Sequence, residues 1–239
     1  MFSVALIGAD GAGKTTIGRR LEHCLPLPAK YLYMGVNLDS SNRMLPTTRL
    51  IRWMKRLSGA KPDTAGPPDP DRISPKTKGM FRRVASGLRS GLSLANRMCE
   101  EWFRQGLAWY YQFRGQIVLF DRHYFSDYYA YDIAAGNGGR PLGRRIHGFM
   151  LKYLYPKPNL IIYLDAPAEV LFARKGEGTL KALEHRRQEY LQMRDLVKHF
   201  AVVDGSQPVD AVVSEVSGLI EDFYHFKTGI TAKESHVGQ

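Results

Sequence analysis

Residues Gly8 to Thr15 read Gly-Ala-Asp-Gly-Ala-Gly-Lys-Thr, directly behind the apolar run Phe2–Ile7. Gly8, Gly11 and Gly13 let the backbone bend tightly and turn successive N–H groups towards an anion. The Lys14 ammonium can reach the β- and γ-phosphates of a nucleotide, and the Thr15 hydroxyl can sit on Mg²⁺. The stretch that follows, Thr16 to Glu22, has a helical pattern, so the positive end of its dipole faces the same anion. Gly8, Asp10, Gly11, Ala12, Gly13, Lys14, Thr15 and Thr16 are therefore the candidate cradle for a nucleoside triphosphate, with ATP·Mg²⁺ as the expected ligand.

Two further clusters could complete phosphoryl-transfer chemistry. The apolar run Ile117–Phe120 ends in Asp121-Arg122. An acid at the carboxyl end of a strand beside the phosphate-loop strand can orient Mg²⁺ or its waters. Thr15 and Asp121 are thus the candidate metal residues, and Arg122 would aim at a phosphate from the same mouth. The second cluster, Ala173-Arg174-Lys175-Gly176-Glu177-Gly178-Thr179, precedes a charged stretch holding Glu184, Arg186, Arg187 and Tyr190. A Gly-flanked basic loop opening a helix suits a closing lid over 174–190, bringing cations to the developing charge and excluding water. The ordinary alternative is a helix whose charges only meet solvent.

The elements that must position these residues alternate, short apolar runs with helical patterns, as in a parallel sheet wrapped by helices. Strands are expected at Phe2–Ile7, Lys30–Met34, Gln116–Phe120, Leu160–Leu164 and Ala201–Val203. Helices are expected around Thr48–Leu57, Gly91–Phe113, Arg144–Tyr153, Ala168–Ala173, Leu180–His199 and Val209–Phe223, besides the one after the phosphate loop. The 239 residues, 44% hydrophobic, suffice for one sizeable core, expected as a single domain over 1–227 with a frayed tail over 228–239. The Pro- and Gly-rich stretch 61–71 is expected as an exposed loop.

Composition narrows the function classes. No run of 18 apolar residues is present, and the N-terminal apolar stretch enters the phosphate loop without a basic leader, so neither a membrane span nor a signal peptide is expected. Cys24 and Cys99 are the two cysteines, too few for a disulfide framework or a zinc site, and a reducing cytoplasm fits. The seven histidines lack the spacing of a helical metal site. Net charge is +11, and Arg43 to Arg104 carries 14 Lys/Arg against five Asp/Glu. A solvated face plus substrate contacts accounts for this, with nucleic acid or a membrane surface as less favoured partners. Within that stretch Leu50, Trp53, Met54 and Leu57 share one face of a basic helical segment, expected to pack into the core.

Four segments together resemble the thymidylate kinase family of nucleoside monophosphate kinases. They are Gly8–Thr16 with its internal acid; Asp121-Arg122-His123; Tyr163-Leu164-Asp165-Ala166-Pro167-Ala168-Glu169-Val170 with the following lid; and Val203-Asp204-Gly205-Ser206-Gln207-Pro208. Ala95-Asn96-Arg97 is similar to the family's helical Ala-Asp-Arg. The resemblance covers nearly the whole chain outside 36–90. It implies a three-layer α/β/α phosphate-loop kinase with a five-stranded parallel sheet, and a homodimer. It further implies that Asp10 meets the acceptor sugar, that Arg97, Arg122 and His123 line the acceptor side, and that Ser206 lies on the adenine side. Lys14, Arg122, Arg174 and Arg187 would be the catalytic cations. The chain departs from the family after the second strand, where Tyr33-Met34-Gly35-Val36-Asn37 replaces Thr-Arg-Glu-Pro-Gly-Gly, and in the basic insert 36–90 that follows. These departures lie on the acceptor side. A nucleoside monophosphate such as dTMP is the leading acceptor. A nucleoside, sugar or envelope precursor stays open, as does a nucleotide-switched protein binding nucleic acid or membrane.

Overall fold

The computed structural model describes residues 1–35, 44–57, 80–127, 142–176 and 178–229. The proline-rich stretch 61–71, Val36 and Asn37, Glu177 of the expected lid and the tail from residue 230 lie outside the described residues. Contacts divide the chain into two compact units.

The first unit comprises Met1–Tyr33, Tyr110–His123 and Lys157–Gln239. It holds five parallel strands: β1 (Ser3–Ile7), β2 (Ala29–Tyr33), β3 (Ile117–Asp121), β4 (Leu160–Asp165) and β5 (Phe200–Asp204). Their order is β2-β3-β1-β4-β5, so the α/β fold with a five-stranded parallel sheet is as the sequence implied. The strands are nearly continuous apolar runs, as expected when both faces of a parallel sheet are covered. Register sets Asp121 level with Leu6 of β1 and Tyr33 of β2. Asp165 stands level with Asp204. The chain turns from β1 towards β2 and β3 on one side and β4 and β5 on the other, so the loop after β1 opens at the switch point where such sheets bind ligands.

Helix α1 (Lys14–Cys24) follows that loop. α6 (Ala168–Lys175), α7 (Leu180–Gln192) and α8 (Val209–Thr228) complete the unit. One apolar core joins alternate residues of the central strands (Val4, Leu6, Ile117, Leu119, Ile162, Leu164) to Ile17 and Leu21 of α1 and to Val212, Val216 and Ile220 of α8. Burial of these side chains contributes about 1.5–3 kcal/mol each relative to exposure.

The second unit comprises Met34–Trp109 and Tyr124–Pro156. It contains α2 (Pro46–Leu57), most of α3 (Met80–Phe113), the short α4 (Tyr124–Asp127) and α5 (Leu142–Phe149).

Several boundaries differ from the expected ones for identifiable reasons. α3 begins at Met80 rather than Gly91. An interior glycine costs a helix about 1 kcal/mol, too little to stop one of this length. α5 ends at Phe149, and Met150–Leu154 forms a π turn closed by Tyr155 N–H to Met150 O at 2.8 Å. α6 runs on to Lys175, so Arg174 and Lys175 belong to its last turn, not to a loop. Cations suit that end of the dipole, and Gly176, left-handed at φ 66°, ends the helix. α7 stops at Gln192 rather than reaching His199. The chain tightens into a 3₁₀ turn, Met193–Leu196, because His199 is drawn into the sheet, its carbonyl accepting from Ile161 N–H at 3.0 Å. α8 stays helical to Thr228 with Gly229 as its left-handed cap.

The largest difference concerns α2. Its apolar stripe was expected in the core, yet Leu50, Trp53, Met54 and Leu57 are each more than half exposed.

Candidate active site

The loop after β1 is a cradle that tolerates only glycine at two points. Gly8 has φ 151°, and a Cβ there would stand 2.7 Å from Leu164 O. Gly11 has φ 93°, and its Cβ would stand 2.9 Å from Leu171 O. Both the dihedrals and the neighbouring backbone exclude a side chain. Ala12 N–H closes the turn onto Ala9 O at 3.2 Å, and Gly13 caps the N-terminus of α1. Lys14 is buried, its ammonium donating to Gly8 O at 2.7 Å and Ala9 O at 2.8 Å. Those bonds hold the cation over the loop backbone, where an incoming anion would meet it together with the α1 N-terminus. Thr16 is exposed in the first turn of α1.

Thr15 and Asp121 are brought together as the sequence suggested. The Thr15 hydroxyl donates to Asp121 Oδ2 at 2.5 Å. Tyr31 OH donates to the same oxygen at 2.7 Å. Burial first, and then the Asp121 charge, push the Tyr31 phenol well above its usual range, so it stays a donor. Asp121 is fully buried, and among the described residues its Oδ1 has no protein hydrogen-bond partner. A buried carboxylate oxygen left over beside a threonine hydroxyl and a phosphate-type loop fits a hydrated divalent cation of the Mg²⁺ kind. Sequence reasoning missed Tyr31. Its signal was its place in the strand flanking β3, and Gly18 lets α1 approach it, since a Cβ at Gly18 would meet the Tyr31 ring at 2.9 Å.

Arg122 has φ 61°, the left-handed region that disfavours non-glycine residues, at a cost of order 1 kcal/mol. That turn brings its guanidinium to Asp10 in the cradle, with which it forms an ion pair. Lys175 Nζ lies 4.0 Å from the other Asp10 oxygen. Burial raises the Asp10 pKa, but Arg122, Lys14 and Lys175 outweigh it and hold the carboxyl below its ordinary range. His123 is fully buried against the Phe120 ring, centroids 5.1 Å apart. Desolvation lowers its pKa to about 3, so it is neutral near pH 7.

The cations of the expected lid segment are not alike. Arg174 donates to Gly205 O at 2.7 Å and Ser206 O at 3.2 Å, clamping the loop after β5. That loop lies on the cradle: a Cβ at Gly205 would stand 3.5 Å from Ala12 O. Ser206 itself caps Asp204, donating from N–H at 2.8 Å and from Oγ at 2.5 Å. Arg187 instead forms a bidentate pair with Asp165, Nε to Oδ1 at 2.6 Å and Nη2 to Oδ2 at 2.7 Å, and also meets Glu184. The Arg187 hydrogen bonds lower the Asp165 pKa. Asp165 as the counter-ion of Arg187 was not foreseen, although it ends β4 level with Asp204 at the end of β5.

Arg97 is exposed on α3 in the second unit. Nearby on the same helix lies a buried polar cluster that sequence reasoning missed. Glu100 accepts from Thr48 Oγ1 at 2.8 Å, from Leu45 N–H at 3.1 Å and from Arg104 Nε at 2.9 Å. Arg104 also donates to Gly35 O at 2.7 Å. Glu101 faces His147 Nε2 at 2.9 Å, both side chains buried. The i, i+4 spacing of Glu100 and Arg104 was the legible signal.

No family model matches the chain. A probable thymidylate kinase of Archaeoglobus fulgidus is 26% identical over 231 residues, 94% of this chain and 97% of that protein. A thymidylate kinase of Thermosipho africanus is 30% identical over 117 residues, 45% of this chain and 56% of that one. A solved thymidylate kinase from Candida albicans aligns with TM-score 0.58 at 18% identity, covering 93% of this chain and 92% of that one. The chain is similar to thymidylate kinases over nearly its whole length, and its fold is that of a P-loop kinase. The cradle, Thr15 with Asp121 and the Asp10–Arg122 pair lie in one compact unit. Cys24 and Cys99 are both free and exposed. Among the described residues no group of His, Cys, Asp and Glu could hold a metal by itself, and no helix is long and apolar enough to cross a membrane.

Proposed function

We propose that the protein transfers the γ-phosphate of ATP to a nucleoside monophosphate, dTMP or a close relative, with Mg²⁺ as the metal. The observation that carries this reading is the Thr15–Asp121 contact beside a glycine-only cradle at the carboxyl ends of β1 and β3. Mg²⁺ held by Thr15 with Asp121 behind it would neutralise charge between the β- and γ-phosphates. Gly8 to Thr16 would grip the donor phosphates, with Lys14 reaching the transferring group. Arg122 would hold the acceptor phosphate, Asp10 would orient Arg122 and meet the acceptor, and Ser206 would border the base of the donor. His123, neutral and buried, would fix the turn that carries Arg122. Arg187 and Arg174 would supply positive charge from the lid. Such chemistry rests on positioning and electrostatics rather than a covalent intermediate. A cytoplasmic homodimer, one domain over 1–227, belongs to the same proposal.

A second acceptor class is favoured by one observation. The segment after β2 lacks the family's Thr-Arg-Glu-Pro-Gly-Gly, and its Gly35 carbonyl is instead tied down by buried Arg104. The deciding experiment is coupled ADP release with ATP·Mg²⁺ and a panel of dTMP, other monophosphates, nucleosides and sugars. Turnover with dTMP that falls by about 10³ or more in Lys14→Ala is the expected result. Lys14-dependent turnover confined to another acceptor moves the chain to the second class, and no Lys14-dependent turnover with any of them overturns the kinase reading.

A further inference from the structure

One carboxylate oxygen of Asp121 is crowded with donors, and the other has none. Oδ2 accepts from the Thr15 hydroxyl at 2.5 Å and from Tyr31 OH at 2.7 Å. Asp121 is fully buried, and among the described residues Oδ1 has no hydrogen-bond partner. A carboxylate oxygen offers two lone-pair sites, so two donors fill Oδ2. Rotation about the Cβ–Cγ bond, a broad two-fold torsion, would exchange the two oxygens. The donors on Oδ2 therefore decide which oxygen is left over.

Tyr31 is placed for this task by both β2 and α1. In β2 it lies two residues before Tyr33, which stands level with Asp121. The pleat puts Tyr31, Tyr33 and Asp121 on one face, with Tyr31 the diagonal neighbour, which only a long side chain can bring to the carboxylate. Thr15, Gly18 and Arg19 follow the i, i+3, i+4 spacing and so share one face of α1. Thr15 meets Asp121. A Cβ at Gly18 would stand 2.9 Å from the Tyr31 ring, so the missing side chain leaves that ring its place. The Arg19 guanidinium lies over the same ring, 5.8 Å from its centroid, within cation–π range. All these residues belong to the first unit. A ring that only filled space between α1 and β2 would need no hydroxyl on a buried carboxylate.

We infer that Tyr31 is a positioning residue for the divalent cation, acting through Asp121. Its phenol and the Thr15 hydroxyl together hold Oδ2, which reserves Oδ1 for a water of the cation's hydration shell. The two donors are not equivalent. Thr15 is shared between the cation and the carboxylate, whereas Tyr31 serves the carboxylate alone. Without Tyr31, Asp121 would be tethered only by a group on which the cation also draws. Such outer partners orient the groups that hold a metal and tune its affinity. The inference rests on the reading of Thr15 and Asp121 as the Mg²⁺ residues, and it does not depend on which acceptor is phosphorylated.

The test is calorimetric ATP binding by the full chain over a series of Mg²⁺ concentrations, for the wild type, Tyr31→Phe, Asp121→Asn and the double variant. Phenylalanine keeps the ring against Gly18 and Arg19 and removes only the hydroxyl. In the wild type Mg²⁺ should tighten ATP binding. In Tyr31→Phe the Mg²⁺ concentration for half of that effect should rise about tenfold or more, while ATP binding in EDTA stays at the wild-type level. In the Asp121→Asn background the same change should shift nothing further, because Tyr31 acts through the carboxylate. A Mg²⁺ response that Tyr31→Phe retains in full overturns the inference alone, since a purely structural hydroxyl would move only the thermal midpoint. Equal weakening of ATP binding with and without Mg²⁺ overturns it too and assigns Tyr31 to the cradle. So does a further loss in the double variant. A wild type without any Mg²⁺ response overturns the metal reading beneath it as well.

Discussion

The two units handle charge in different ways. Around the cradle, cations and carboxylates stand at strand and helix ends, partly open, and each contact joins distant segments: Thr15 to Asp121, Asp10 to Arg122, Arg187 to Asp165, Arg174 to the loop after β5. In the second unit Glu100, Glu101, Arg104 and His147 are sealed among helices and satisfy one another. The first arrangement leaves groups at ends where a ligand can replace a protein partner. The second leaves none and acts as a fastener, holding the root of α2. Charge at element ends therefore marks chemistry here, whereas charge buried between helices marks architecture.

The sharpest way to break that comparison is Arg187→Ala. If Arg187 leaves Asp165 to meet developing phosphoryl charge, kcat falls by on the order of 10³ or more with KM for ATP little changed. Steady-state ADP release checks this, with Arg174→Ala alongside. Unchanged turnover in both variants makes these arginines fasteners too. Next in size is Glu100→Ala. Removing one partner of a buried ion pair strands Arg104 and unties Thr48 and Leu45, so urea unfolding should lose about 3–5 kcal/mol. ATP affinity of the folded protein should be unaffected, and a matching loss of affinity would sink the distinction.

His123 supplies a smaller, pH-dependent contrast. Its folded pKa, about 3, lies below the value of an exposed histidine. Between those values the unfolded chain binds the proton and the folded one does not, so stability is present at neutral pH and is lost as pH falls below about 6.5. From pH 7 to pH 5 the loss should reach about 2 kcal/mol in the wild type. It should be absent in His123→Asn, as read by urea unfolding at each pH. The smallest expected effect is at the start of α7. Thr179 caps α7 by accepting from Ala182 N–H at 3.2 Å, so Thr179→Ala should cost about 1 kcal/mol, read as faster amide exchange in α7. A global loss of several kcal/mol would show that the lid helix is part of the core rather than a separable element.

Much of this was legible in the chain. Glycine spacing, a lysine-threonine pair and an acid after an apolar run carry their meaning locally, since a tight anion-binding turn and a strand end need those residue types wherever they occur. The five strands were legible for the same reason, as both faces of a parallel sheet must be apolar. Helix ends were less so, because glycine only weakens a helix, and the exit from α7 is set by the partner β4 offers His199. Tyr31 on Asp121, Asp165 on Arg187 and the Glu100 fastener join residues 90, 22 and 52 positions apart, beyond any local pattern. The exposure of α2 shows the limit most plainly. The sequence determined that the helix has an apolar and a basic side, because periodicity is local. Only the tertiary structure decided which side faces inward, since Glu100 offers Thr48 a buried partner and turns the apolar side out.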